Sequence, residues 1–313
     1  MTSGIDATAD GALEDIAYLS RSGNRVRILD TLVTGAHTRR ELMAATDVSR
    51  TTLGRILNEL DERGWAERTA DGDYVATPTG QLVAAEFTPL VESMRTVREL
   101  GEAAAVLPID ELSIGLRQFS DGTVRRPEPN DPMAPAAFLT DLLRGTSELH
   151  CLVRLAPPLA FERRMWDAVA DGPLRTEHVV TEGELAYLRD HPERLRRWRT
   201  YLEAGANVYR YDGTILCNLF VFDETVDIGK THPDGGGCVF IETEREAVRS
   251  WAHELIETYR TEAEPVDAEV FTEGPSMPWA EASDEYRGCI HQTVPVSTYA
   301  LQCSIPPARG LAG

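Results

Sequence analysis

The residues best placed to do chemistry lie near position 50. Arg50, Thr51, Thr52, Gly54 and Arg55 follow Ser49, and no acidic residue intervenes before Glu59. A guanidinium can pair bidentately with guanine, and threonine can bond a base edge or a phosphate and touch a thymine methyl. Ser49 precedes an apolar stripe at helical spacing (Leu53, Ile56, Leu57, Leu60), so it reads as a helix cap, and a helix start suits a phosphate. Arg39 and Arg40 open the preceding predicted helix, where contacts to a nucleic-acid backbone are made. From Arg21 to Arg68 there are nine arginines and seven acidic residues, whereas the whole chain has 31 basic against 51 acidic residues and a net charge of −20. A locally positive face on a very acidic chain is the footprint of a DNA reader. The bland reading of the same residues is a solvated helix with ordinary arginines.

The elements needed to present these side chains can be read from the same stretch. Ala12–Ser20 and Gly23–Val33 have helical patterning, with Ser22 as a cap and Gly35 as a stop. Thr38 caps a short helix to Ala45, Thr46-Asp47-Val48 is a tight turn, and the helix Arg50–Arg63 ends at Gly64. Trp65–Thr69 and Tyr74–Thr77 are strands joined by Asp71-Gly72-Asp73, a hairpin signal. The order predicts a winged helix-turn-helix over residues 12–80. Its wing tip is acidic, so the tip is not expected in a minor groove, although Arg68 can reach a phosphate. Thr77-Pro78 starts a further helix, nearly continuous over 79–106, with a break expected at Pro89 and Thr88 as its cap. Val83, Phe87, Leu90, Met94, Val97, Gly101 and Ala104 form a heptad stripe, read as a dimer contact rather than as packing within one chain.

The expected organisation is α+β: a flexible leader (1–11), a winged helix-turn-helix (12–80), a helical linker for dimerisation (81–107), an α/β layered signal-sensing domain (108–266) and an irregular tail (267–313). Pro108–Pro135 reads as a junction, and within it Arg125-Arg126-Pro127-Glu128-Pro129-Asn130-Asp131-Pro132 is too proline-rich for regular structure. In the α/β domain, helices are expected at 136–143, 159–169, 184–204 (with Pro192 as start or kink) and 246–261. Strands are expected at 148–155, 176–181, 207–211, 214–222, 226–229 and 238–242. Asp212-Gly213 reads as a two-residue hairpin joining two of these strands. Polar strand residues that could line a small-molecule pocket are Arg154, Tyr209, Tyr211 and Asn218.

Several chemistries are disfavoured. Five scattered cysteines without a CxxC argue against a disulfide framework or zinc ribbon. His150 and Cys151 alternate to opposite faces of a strand, and Cys289 with His291 makes an incomplete metal site. Gly229-Lys230-Thr231 lacks the first glycine of a phosphate loop. Gly235-Gly236-Gly237 reads as a loose hairpin. A phospholipase D-like reaction needs a histidine and a lysine two apart, whereas the single lysine, Lys230, precedes His232 in reversed order. No catalytic residue, cofactor or metal is expected. With no basic leader and no run of ~18 apolar residues, a cytoplasmic protein without a membrane segment is expected. Strong acidity with one lysine and thirty arginines fits a salt-loaded cell interior.

Asp121-Gly-Thr-Val-Arg-Arg-Pro-Glu-Pro-Asn-Asp-Pro-Met-Ala-Pro135, Tyr209-Arg-Tyr-Asp-Gly213 and Trp251-Ala-His-Glu-Leu-Ile-Glu-Thr-Tyr-Arg-Thr-Glu-Ala-Glu-Pro265 are the stretches through which the chain, over residues 12–266, resembles haloarchaeal winged helix-turn-helix transcription regulators with a methanogenesis-regulatory-protein type of middle domain. The resemblance implies a dimeric transcription factor whose α/β domain answers a signal, with double-stranded DNA as partner and a small-molecule effector as a candidate one. It implies no catalytic residues, and the tail departs from the pattern. The alternative is an enzyme or sensor whose winged domain serves protein contact. In molar salt, about four phosphate contacts lose roughly five decades of affinity between ~0.1 and ~3 M, so base readout by Arg50, Thr51, Thr52 and Arg55 must carry more of any DNA binding.

Overall fold

A computed structural model describes residues 7–155, 157–170, 172–231 and 238–271. Four helices open the chain: α1 (Ala7–Ser20), α2 (Gly23–Val33), α3 (Arg39–Thr46) and α4 (Arg50–Glu62). Side-chain caps fix three of their starts. The Ser22 hydroxyl accepts from Asn24 N, Thr38 and Glu41 form a reciprocal capping box, and Ser49 accepts from Thr52 N. Asp47 takes a left-handed conformation (φ 52°), which makes the tight turn between α3 and α4. The antiparallel pair β1 (Ala66–Arg68) and β2 (Tyr74–Ala76) follows, and His37 bridges to Tyr74 so that the ribbon is tied to the entrance of α3. Ile28, Leu29, Leu32, Leu42, Leu53, Ile56, Leu57, Leu60 and Trp65 make one core. This is the layout of a winged helix-turn-helix, with regular structure beginning at Ala7 rather than at residue 12.

Helix α5 (Pro78–Leu100) begins under a Thr77 cap. Gly80 is required there, because a Cβ would lie 1.9 Å from the Trp65 carbonyl oxygen. Pro89 does not break the helix. The Thr88 hydroxyl donates to Asp30 instead of capping a new start, and the turns on either side, through Phe87 and Val91, both pack on the core of the head. That packing offsets the cost of the missing hydrogen bond. Regular α-helix ends at Leu100, and a 3₁₀ segment runs from Gly101 to Val106.

The second part is built on β3 (Thr123–Arg125), α6 (Ala134–Leu142), β4 (Glu148–Val153), α7 (Leu159–Ala170), β5 (Arg175–Thr181), α8 (Glu182–Arg189), α9 (Pro192–Glu203), β6 (Asn207–Tyr211), β7 (Asn218–Phe222), β8 (Thr225–Thr231), β9 (Cys238–Thr243), α10 (Glu246–Thr261) and the short β10 (Glu264–Pro265). Eight strands form one sheet in the order β10-β6-β5-β4-β7-β8-β9-β3, with β4, β5 and β6 parallel and the other pairs antiparallel. Side chains alternate between two cores. Cys151, Phe220 and Phe222 face the helices α6, α7 and α9, while Leu152, Leu219 and Val221 face α10 and the segment around Phe119. The C-terminal part is therefore α/β and layered, as expected.

Three local expectations are corrected. β6 and β7 do not pair, so Asp212-Gly213 is not a hairpin: β6 lies beside β5 after the crossover through α8 and α9, while β7 returns on the other side of β4. The proline-rich stretch is irregular as expected: the edge strand Thr123–Arg125 on β9 stops at its first residue, and only an isolated bridge of Glu128 to Asp131 follows before α6. Regular packing passes residue 267: Ala268–Phe271 is a 3₁₀ turn, and the fully buried Phe271 stacks on Trp198. The helix expected over 184–204 is two, with Pro192 at the first turn of the second. The triple glycine 235–237 and Cys289, His291 and Cys303 lie outside the described residues.

Candidate nucleic-acid interface

At 100° per residue the buried stripe of α4, Leu53, Ile56, Leu57 and Leu60, leaves Thr51, Arg55 and Asn58 on the opposite face. Arg50, Thr51, Arg55 and Asn58 are exposed, and Thr52 and Gly54 are half-buried. The side chains of Arg50, Thr51 and Asn58 make no hydrogen bond or ion pair among the described residues. The Ser49 and Thr52 hydroxyls are 2.9 Å apart and belong to the cap. Arg55 reaches Glu59 at 2.9 Å across one turn, with 57 % of its side chain exposed. Such a pair is worth about 0.3–0.5 kcal/mol, so a guanine edge can replace it. Burial works to raise the Glu59 carboxyl, but hydrogen bonds and charge from Arg55 and Arg25 outweigh it and hold the group below its ordinary value.

The remaining arginines of the head divide sharply. Arg25 is buried, donating to the Tyr18 carbonyl at 2.7 Å and to Glu59 at 3.1 Å, so it fastens α2 to α4. Arg63 pairs with Asp15 at 2.5 Å and covers the Tyr18 ring, and Arg27 bonds Asn24. Arg39 donates to the Tyr74 hydroxyl at 2.8 Å, which braces α3 against the ribbon. Arg68 bends back to the Gly72 carbonyl at 3.0 Å and stiffens the turn. Arg21, Arg40 and Arg50 have no such partner among the described residues. The outward cation set on this side is therefore Arg40 and Arg50, with Arg55 and Arg68 held in place by exposed bonds and Arg39 by part-buried ones. Asn58, which can bond adenine bidentately, was not singled out from the sequence. Its signal was there, since it follows Thr51 and Arg55 at seven and three residues.

The four polar strand residues of the second part do not converge. Asn218 is spent on the backbone, its Oδ1 accepting from Arg154 N and Leu155 N at 2.7 and 3.1 Å. Tyr209 lies under the Arg260 guanidinium. Tyr211 packs edge-on against Tyr259 and lines a cavity of about 250 Å³ with Glu111, Leu255, Thr258 and Glu262, which includes none of the other three.

The arrangement most like a catalytic pair is buried instead. Cys151 Sγ lies 2.7 Å from His178 Nδ1, His178 Nε2 lies 2.7 Å from the Tyr201 hydroxyl, and that hydroxyl donates to Thr176 at 2.5 Å. Burial pushes the thiol far above its ordinary value and the imidazole down to about 3. A neutral imidazole beside a protonated, inaccessible thiol is no activated nucleophile. The run of hydrogen bonds satisfies polar groups within a core. His150, on the opposite face as alternation requires, meets His253 and Glu177. Among the described residues there is no group of three or more metal-ligating side chains, and no helix long and apolar enough to cross a membrane.

A head of four helices closed by a ribbon, with an outward polar face on α4, stands before an α/β layered unit. Residues 13–99 match the family model of the HVO_A0261 N-terminal domain, and residues 132–262 match that of the methanogenesis regulatory protein FilR1 middle domain. Among solved structures the chain is similar to TrmBL2, an archaeal chromatin protein, at 17 % identity over 80 % of this chain and 98 % of that one, with a TM-score of 0.38. It is also similar to Nuc, a phospholipase D family member from Salmonella typhimurium, at 11 % identity over 47 % of this chain and 99 % of that one, with a TM-score of 0.36. Nothing among curated proteins matches closely enough to name a relative.

Proposed function

We propose that this chain is a sequence-specific DNA-binding transcription regulator, acting in the cytoplasm as a homodimer that reads a major groove with α4 and is modulated through its α/β unit. One observation carries the reading: the acid-free outer turns of α4 present Arg50, Thr51, Arg55 and Asn58 to solvent on a capped helix buried along its other face. Ser49, Thr52, Arg39, Arg40 and Arg68 flank that face and position it on phosphates. The regulatory domain families support the same reading. The exposed Leu90 and Met94 of α5 support dimerisation, since the heptad stripe divides: Phe87 turns into the head's own core, while these two are 50 % and 58 % exposed. The buried, deactivated Cys151–His178 pair supports a non-enzymatic role over the alternative of an enzyme with a protein-docking head.

Occupancy mapping by crosslinking in the native cell supplies bound duplexes, and a mobility-shift assay in molar KCl then compares the chain with its Arg50→Ala/Arg55→Ala variant. Two lost bidentate contacts cost about 2–6 kcal/mol, so specific binding falls about thirtyfold or more. Unchanged specific binding contradicts the assignment of α4.

A further inference from the structure

Where α5 meets the α/β unit, a cavity of about 200 Å³ is lined by Glu92 and Arg95 of α5, by Arg117, Gln118 and Ser120, and by Arg245 at the N-terminal boundary of α10. Three guanidiniums and one carboxylate converge here on a chain whose net charge is −20. Such a local excess of positive charge is not a by-product of composition. Its internal bonds leave it under-compensated. Arg117 and Glu92 are 3.9 Å apart, a loose pair with both side chains more than a third exposed. Arg245 reaches Asp121 and Ser120 at 3.3 Å, long for a charge-assisted bond. Arg95 has no hydrogen bond or ion pair among the described residues.

We infer that this cavity binds a small multiply charged anion, bearing a phosphoryl or a pair of carboxylate groups, between α5 and the α/β unit. Guanidiniums are donors shaped for such groups. The cavity is small for anything larger than a metabolite head group, and Arg95 lies about 25 Å along α5 from its start beneath the ribbon. The location gives such a ligand a consequence. α5 contributes Phe87 to the core of the head and Leu100 to that of the α/β unit. An anion held at once by Arg95 on the helix and by Arg117 and Arg245 on the unit beyond it fixes the helix to that unit. It also displaces Glu92 from Arg117. This consequence rests on the regulator reading; the binding itself does not.

Titration calorimetry of the full chain with inorganic pyrophosphate, at constant ionic strength and without DNA, tests the binding. The chain gives saturable binding, and Arg95→Ala and Arg117→Ala each weaken it by about tenfold or more. Glu92→Gln tightens it by about threefold, because the competing carboxylate is gone. Arg164→Ala, which removes an exposed arginine on α7, leaves it unchanged. Arg95 is exposed, so its replacement keeps the test valid should Arg117→Ala fail to fold. No saturable binding, or the same affinity in Arg95→Ala as in Arg164→Ala, overturns the site. If duplex DNA binding is weakened by Arg95→Ala while pyrophosphate binding is absent, the cavity belongs to a DNA phosphate and the small-ligand assignment fails. Failure of DNA binding alone leaves the anion result standing and contradicts only the reading of α4.

Discussion

The head and the α/β unit treat their polar side chains in opposite ways. In the head, Arg40, Arg50, Thr51 and Asn58 are exposed and make no hydrogen bond or ion pair among the described residues. In the α/β unit, Cys151, His178, Tyr201 and Thr176 form a closed run of hydrogen bonds that are wholly inside. The residue types in the second set are the more reactive. Their reactivity is removed by burial, which keeps the thiol protonated and the imidazole neutral. Accessibility together with unmet bonding capacity separates a candidate reading surface from a core network, and residue type alone does not.

The largest effect that would break this comparison is on the core network. Replacing His178 by alanine leaves Cys151 and Tyr201 without a partner and opens a void, so chemical unfolding in molar KCl should show a loss of about 3–5 kcal/mol. A near-neutral result would mean that the run of bonds is not structural and would reopen a functional role for it. Next is Glu162, buried on α7 with Arg194 at 3.3 Å. Burial raises its carboxyl from 4.5 to about 7, against the opposing effect of Arg194. A raised folded value favours the protonated form, so the stabilisation is fully present below about pH 4.5 and is lost as pH rises through about 7. The swing is about 3 kcal/mol. Unfolding followed across that window should show it, and Glu162→Gln should flatten it; equal slopes in both proteins would refute the assignment.

Smaller effects sharpen the other side of the comparison. Leu90→Glu with Met94→Glu places charges on the exposed part of α5 and should convert a dimer to a monomer by light scattering without unfolding the head. An unchanged dimer would move the interface elsewhere. Thr38→Ala removes the capping box of α3 and should cost about 1 kcal/mol in unfolding experiments. Asn58→Ala removes nothing that the fold uses, so stability should stay within about 0.5 kcal/mol while discrimination at one base pair weakens.

Much of the head was legible because its signals are local. Ser22, Thr38, Ser49 and Thr77 announce four helix starts and cap all four, and the ribbon follows from Asp71-Gly72-Asp73 between two short strands. Pro89 misled because a proline's local penalty is offset by packing of Phe87 and Val91 on the head's core and by the Thr88 bond to Asp30, which no window of sequence contains. Asp212-Gly213 misled for a similar reason. Its turn chemistry is genuine, but β6 was already committed to β5 through the crossover, so the chain passes on to pair β7 with β4. For the candidate interface the sequence supplied residue types and helical phase. It did not show that Arg25 is interior or that Arg39 braces Tyr74, because both depend on contacts more than thirty residues away in the chain.

Base reading by α4 meets its sharpest test in selection of bound duplexes from a randomised pool in molar KCl, with the intact chain and with its Arg55→Ala variant. One enriched motif made of two related half-sites is expected, which the variant retains except for lost preference at one base pair in each half. A pool with no enriched motif, or the same motif unaltered in the variant, would contradict that reading.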